Sequence, residues 1–283
     1  MKEREWNWPA RDGKQVFARE WAPDEADHVQ AVVLLAHGKG EHSGRYRLLA
    51  ESFTAEGLAV LGFDQLGHGR TEGKRGHAAS YEQLMDGIER LQEEAAAQYP
   101  GKPVFLYGHS MGGNIMINYV LRRQPQVAGA IATGPWLRLA ASDRPLMLVI
   151  LSRLVQSFKR NKNASMPTYL TTDPDRLAQL VADPLGHGKF TLKLFFSIRR
   201  AGLWALDHAD KLSIPMLILH GGDDTVTDKH ASRQFAEGAG KLCTFQEWPG
   251  LRHELHNELR RNEVFAAVQA WIRTQSDSGR SGS

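Results

Sequence analysis

The segment Val104-Phe-Leu-Tyr-Gly-His-Ser-Met-Gly-Gly113 constrains this chain more than any other. An apolar strand runs into Gly108-His-Ser-Met-Gly112, which fits G-x-S-x-G, and a helical pattern leaves it toward Arg123. Strand, sharp turn and helix together hold a serine in a strained backbone with its hydroxyl exposed. The glycines flank the serine because a neighbouring Cβ would clash in so tight a turn. Five residues with three fixed positions recur by chance, so the strand before and the helix after carry the reading.

The rest of the chain repeats that alternation. Gln15–Trp21 and Ala31–Ala36 read as strands, the second an apolar run of the kind buried on both faces of a parallel sheet. A helix over Tyr46–Glu56, a strand over Ala59–Phe63, a loop rich in Gly and His from Asp64 to His77 and a helix from Tyr81 to Tyr99 follow. Val127–Thr133 is a further strand, and Pro215–His220 and Leu242–Trp248 resume the sheet. A closing amphipathic helix carries Val264, Phe265, Val268, Trp271 and Ile272. This pattern predicts an α/β fold with a mostly parallel central sheet flanked by helices. Between Trp136 and Leu212 strands give way to helical segments, one of them apolar nearly all round (Leu146 to Leu151, Leu154, Val155). The expected organisation is therefore a core of residues 1–135 and 213–275, a helical cap or lid over 136–212, and a disordered polar tail over 276–283.

A net charge of +3 gives little warrant for a nucleic-acid partner, though it allows a weak preference for anionic membrane surfaces. No signal-like N-terminus and no run approaching the roughly 18 apolar residues of a membrane span is visible. The expected location is cytoplasmic, with room for peripheral membrane contact through the cap. The single cysteine, Cys243, excludes an intramolecular disulfide and reads as strand packing.

A serine hydroxyl is a poor nucleophile at neutral pH and needs a base, itself oriented by a carboxylate. Both occur after later strands, in the order Ser, Asp, His: Gly221-Gly-Asp-Asp-Thr225 follows one strand and Pro249-Gly-Leu-Arg-His253 the next. Asp224 is preferred to Asp223 because the acid belongs a few residues past the strand end, and His253 to His256 because His256 lies toward the next helix. Two backbone N–H groups must face the developing oxyanion. Met111, just after the serine, supplies one, and the loop His37-Gly-Lys-Gly-Glu-His42 supplies the other, through Lys39.

These residues carry a family resemblance. His37-Gly-Lys-Gly-Glu-His-Ser-Gly-Arg-Tyr46, Asp64-Gln-Leu-Gly-His-Gly-Arg-Thr71, Gly108-His-Ser-Met-Gly-Gly113 and His253-Glu-Leu-His256 together resemble the monoacylglycerol lipase and lysophospholipase family of α/β-hydrolases, from about Trp8 to Trp271. The resemblance implies a catalytic triad of Ser110, Asp224 and His253, oxyanion donors Lys39 and Met111, and no cofactor or metal. It also implies a small lipid ester as substrate, with a cap that meets the membrane and opens a tunnel for one acyl chain. Glu41, Arg45 and His256 resemble the positions lining the alcohol side, although Arg45 and Glu41 would also serve as an ion pair bracing their loop. Leu148 and Leu151 of the apolar cap helix are the expected acyl or membrane contacts. Two departures stand out: Lys39 occupies a slot that is more often small or apolar, its side chain expected to reach toward Glu41 or solvent, and Leu180 stands where relatives often carry a tyrosine.

The implied activity is hydrolysis of monoacylglycerol to fatty acid and glycerol through an acyl-serine; a lysophospholipase or short-chain carboxylesterase uses the same machinery. A metalloenzyme fails on spacing, since His253-Glu-Leu-His256 would need a histidine where Asn257 stands to make H-E-x-x-H. A non-catalytic binder on the same fold is disfavoured by the intact triad positions.

Overall fold

The computed structural model describes residues 1–25, 28–140 and 167–280, with side chains to 277. Leu148, Leu151 and the rest of the expected apolar cap helix lie outside the described residues.

Eight strands form one sheet: β1 Lys2–Pro9, β2 Gln15–Ala22, β3 Ala31–Ala36, β4 Leu58–Phe63, β5 Val104–His109, β6 Gly129–Thr133, β7 Met216–Gly221 and β8 Cys243–Trp248. Their order is β1-β2-β4-β3-β5-β6-β7-β8, parallel from β4 to β8 and antiparallel at the β1 and β2 edge. This is the mostly parallel α/β fold that the pattern predicts. β1 escapes a hydropathy reading because Lys2-Glu-Arg-Glu5 offers no apolar alternation. It is held by its ladder to β2, with Arg4 to Glu20 at 2.8 Å and Arg19 to Glu3 at 3.1 Å across the strands.

Alternate strand residues serve opposite layers. Val32 and Leu34 of β3 join Leu84, Met85 and Ile88 of α2 (Glu82–Gln98) and Ile115 and Met116 of α3 (Met111–Arg123). Val33 and Leu35 join Leu49 and Phe53 of α1 (Arg47–Ala55) and Val264 and Phe265 of α7 (Arg261–Arg280). Both faces of the sheet are thus covered, which leaves the ends of the strands as the place where loops converge. α7 also corrects the expected tail, because residues 276–280 continue the helix.

Between β6 and β7 lie α4 (Pro174–Ala182) and α5 (Leu192–Asp207); α6 (Lys229–Ala239) follows β7. α5 is bound to the core: Asn114 Nδ2 of α3 donates to the carbonyls of Trp136 at 2.7 Å and Ile198 at 3.1 Å, and Asn118 Nδ2 to that of Ala201 at 3.2 Å. Among the described residues, no helix is long and apolar enough to cross a membrane.

Candidate active site

Ser110 sits at the junction of β5 and α3 with φ 52° and ψ −113°, one of two non-glycine residues described with positive φ. An L-residue there is strained. The turn is fixed from both sides, since Ser110 N–H donates to Thr133 O and Trp136 N–H to Ser110 O, each at 3.0 Å. A Cβ on Gly112 would stand 2.0 Å from Ala36 O, and one on Gly108 2.7 Å from Gly112 O, so the flanking glycines answer a lack of space. Met111 opens α3, where leading N–H groups lack intrahelical partners and the dipole favours negative charge.

The loops after β7 and β8 bring two more groups to this turn. His253 Nε2 lies 3.0 Å from Ser110 Oγ, and His253 Nδ1 lies 2.7 Å from Asp224 Oδ2. Asp224 is itself held from several directions. Val226 N–H and Thr227 N–H donate to its Oδ1 at 2.7 and 3.1 Å, and Thr227 Oγ1 lies 2.7 Å from its Oδ2. Burial works to raise the Asp224 pKa, but His253 and His220 hold it far below the ordinary carboxylate value. Burial likewise pulls His253 down, and the Asp224 carboxylate outweighs it, leaving the His253 pKa above its ordinary value. Asp223 is exposed, its N–H bonded to Leu251 O at 2.9 Å. A chain of carboxylate, imidazole and hydroxyl can draw a proton from the serine as it attacks a carbonyl.

The loop after β3 lies against the serine: a Cβ on Gly38 would be 3.2 Å from Ser110 Cβ. Its shape is held by His37, whose Nε2 accepts from Gln65 N–H at 2.9 Å, and by Glu41, whose Oε1 accepts from Gly38 N–H and from Tyr46 Oη at 2.9 Å. Lys39 follows Gly38, and its ammonium lies 5.7 Å from the centroid of the Phe190 ring.

The three residues expected on the alcohol side separate into two groups. Glu41 and His256 are buried beside the triad, with His256 stacked on Tyr46 at 4.4 Å and edge-on to His109 at 4.8 Å. Glu41 Oε2 and both ring nitrogens of His256 have no hydrogen-bond partner among the described residues. Burial, with Glu254 nearby, raises the Glu41 carboxyl to about 7, and burial lowers His256 to about 3. Arg45 instead reaches Asp183 at 2.7 Å and Leu180 O at 3.4 Å, and His42 Nε2 meets the same carboxylate at 3.0 Å. The ion pair of Arg45 is thus with the segment after α4 and not with Glu41, because the loop directs the Glu41 carboxylate inward to Gly38 and Tyr46. Leu180 is buried and meets Arg45 through its carbonyl, which needs no particular side chain.

Sequence reading did not single out Thr227 or Asp183 as parts of this region. Asp183 lies in an Asp-Pro turn far along the chain from Arg45, and only folding pairs them. Thr227 is three residues past Asp224, and a hydroxyl so close to a buried acid is a signal that spacing could have offered. Cys243 begins β8, and burial pushes its thiol up to about 12, which disfavours the nucleophilic thiolate. Among the described residues no cluster of His, Cys, Asp and Glu could hold a metal ion.

Residues 27–260 match the family described as serine aminopeptidase, S33, or Hydrolase_4. The monoacylglycerol lipase of Mycolicibacterium smegmatis is 31% identical over 266 residues, covering 92% of this chain and 93% of the relative. An uncharacterized abhydrolase domain-containing protein of Dictyostelium discoideum is 31% identical over 278 residues, and the match spans 96% of this chain but only 29% of that longer protein. Among solved structures, a soluble variant of monoglyceride lipase from Saccharomyces cerevisiae in complex with a substrate analog superposes with a TM-score of 0.80 at 25% identity, covering 96% of this chain and 94% of that one.

Proposed function

We infer the reaction from a firm premise, that this chain belongs to the Hydrolase_4 family of α/β-hydrolases: it is a serine ester hydrolase that cleaves monoacylglycerol to fatty acid and glycerol. The observation that carries the reading is the continuous line from Asp224 through His253 to Ser110, at 2.7 and 3.0 Å, set beneath the loop that bears Lys39.

In the proposed mechanism Ser110 Oγ attacks the ester carbonyl while His253 Nε2 takes its proton. The N–H groups of Lys39 and Met111 hold the oxyanion. Asp224 keeps His253 in the tautomer that accepts at Nε2 and stabilises the imidazolium that forms. Protonated His253 then gives its proton to the departing glycerol oxygen, leaving an acyl-Ser110. Water deprotonated by the same nitrogen attacks the acyl carbonyl, and collapse of that intermediate returns the proton to Ser110 and frees the fatty acid.

The glycerol side is supported by Glu41 Oε2 and the two His256 nitrogens, buried polar atoms that hydroxyl groups would satisfy. Arg45 acts one step away, fixing Asp183 over this side. We assign the insertion between β6 and β7 as the cap and propose that it rests on a lipid surface. Residues 184–206 contain no acidic residue, and α5 exposes Leu192 and Phe196 among Lys193, Arg199 and Arg200.

Fatty-acid release from monoacylglycerol, diacylglycerol, lysophosphatidylcholine and p-nitrophenyl esters, with Ser110→Ala as blank, tests the assignment. Monoacylglycerol is expected to be preferred. Activity confined to short p-nitrophenyl esters would refute the lipid substrate, and preference for lysophosphatidylcholine would move the assignment to a lysophospholipase.

A further inference from the structure

A second histidine shares Asp224 Oδ2 with His253. His220 is the fifth residue of β7, four before Asp224, and its side chain is fully buried. Its Nε2 lies 3.1 Å from Asp224 Oδ2, 3.3 Å from Thr227 O and 3.3 Å from Thr227 Oγ1. Its Nδ1 lies 2.9 Å from Ser232 Oγ of α6, which is also fully buried.

The tautomer follows from these neighbours. A carboxylate and a carbonyl oxygen are both acceptors, so a lone pair on Nε2 would face two others at about 3 Å, and the proton must sit there. Nδ1 is then free to accept the Ser232 hydroxyl proton. The hydrogen of Nε2 is shared between Thr227 O and Asp224 Oδ2, the oxygen that also takes the His253 Nδ1 proton.

We propose that His220 is a positioning residue for ester hydrolysis: its Nε2–H, held in place by Ser232, fixes the orientation of Asp224 and tempers that carboxylate's pull on His253. This rests on the reading of Ser110, His253 and Asp224 as the catalytic triad. A donor on Oδ2 disperses the negative charge that His253 feels. Removing it leaves a more basic carboxylate, which binds the His253 proton more tightly and raises the pH below which the base is occupied. The other titratable groups facing His253 are Glu41 from the loop after β3, His109 from β5, and Glu254 and His256 from its own loop. None of them touches Oδ2 of Asp224 within the hydrogen bonds described, so they remain constant when His220 is changed.

The test is the pH profile of kcat/KM on a soluble short-chain p-nitrophenyl ester for wild type, His220→Leu, His220→Gln and Ser232→Ala. The acid limb reports the free enzyme's base. Loss of the donor in His220→Leu is expected to move that limb upward by about one pH unit and lower kcat roughly tenfold, the scale of one charge-assisted hydrogen bond. His220→Gln, whose amide N–H can occupy the Nε2 position, is expected to return the limb to its wild-type place. Ser232→Ala, which removes the hydroxyl anchoring Nδ1 with little loss of volume and so loosens the aim of Nε2–H at Asp224, is expected to move it the same way by less, and it serves if His220→Leu does not fold. Unmoved limbs in His220→Leu and Ser232→Ala would overturn the proposal whatever happens to kcat, since a role in packing alone changes amplitude and stability. Wild-type turnover that survived Ser110→Ala would instead sink the triad reading beneath it, so the two failures are told apart.

Discussion

Replacing Ser110 by Gly and by Ala should separate backbone strain from chemistry at a single residue. At φ 52° and ψ −113° an L-residue's Cβ crowds its own backbone, a conformation that costs about 1–3 kcal/mol. Its mirror image, φ −52° and ψ 113°, is close to relaxed extended backbone, so glycine, which has no handedness, adopts the observed angles at no steric cost. Alanine keeps the strain. Both variants lose the hydroxyl and its contact with His253, so those terms cancel between them. Glycine gives back roughly 0.5–1 kcal/mol through the greater freedom of the unfolded chain. Ser110→Gly should therefore be more stable than Ser110→Ala by roughly 1 kcal/mol, which for a chain of this length is about 2 °C in Tm. Paired urea and thermal unfolding curves measure the difference, and both variants should be without esterase activity. An alanine variant as stable as the glycine variant, or more so, would show that the turn stores no strain in the serine itself.

Two further outcomes follow from the site. Asp224→Asn should lower kcat on the order of 10⁴-fold, because the amide reverses the tautomer of His253, while the exposed Asp223→Asn should leave it within a few-fold; steady-state kinetics that reversed the order would refute the assignment of the acid. Glu41 should make stability depend on pH in the direction opposite to an ordinary paired carboxylate. Its folded pKa is about 7 against an ordinary 4.5, so its contribution is fully present below pH 4.5 and lost as pH rises through 7. Glu41→Gln does not titrate, and its stability relative to wild type should climb between pH 5 and pH 8; a constant difference in urea midpoint across that range would contradict the burial argument.

The parts of the fold that were legible in the sequence are those whose pattern is local. Ala31–Ala36 declares a doubly buried strand because every residue is apolar, and the run from Val104 to Gly113 declares strand, turn and helix because only glycines fit beside Ser110. The candidate triad could be named for the same reason: each member stands a fixed few residues past the end of an apolar strand. β1 was silent, since an edge strand open to solvent needs no apolar alternation and takes its stability from a ladder to β2. The chain end was misjudged because a polar composition says little about a helix extended from an anchored one, as α7 extends past Trp271.

The sequence by itself determined the alternation of strands and helices and the strained serine turn, and it offered the three candidate residues after β5, β7 and β8, all of which depend on patterns within a few residues. Only the tertiary structure decided the partners. Arg45 meets Asp183 instead of Glu41, Asn114 and Asn118 bind α5 to α3, and His220 and Thr227 gather around Asp224. Arg45 and Asp183, and the two asparagines and the α5 carbonyls they reach, lie far apart along the chain, where spacing carries no preference of its own; His220 and Thr227 stand four and three residues from Asp224, and the turn after β7 brings them onto its carboxylate. A buried charge or amide takes whichever donor or acceptor the packed sheet brings within 3 Å, and that is settled when the layers close.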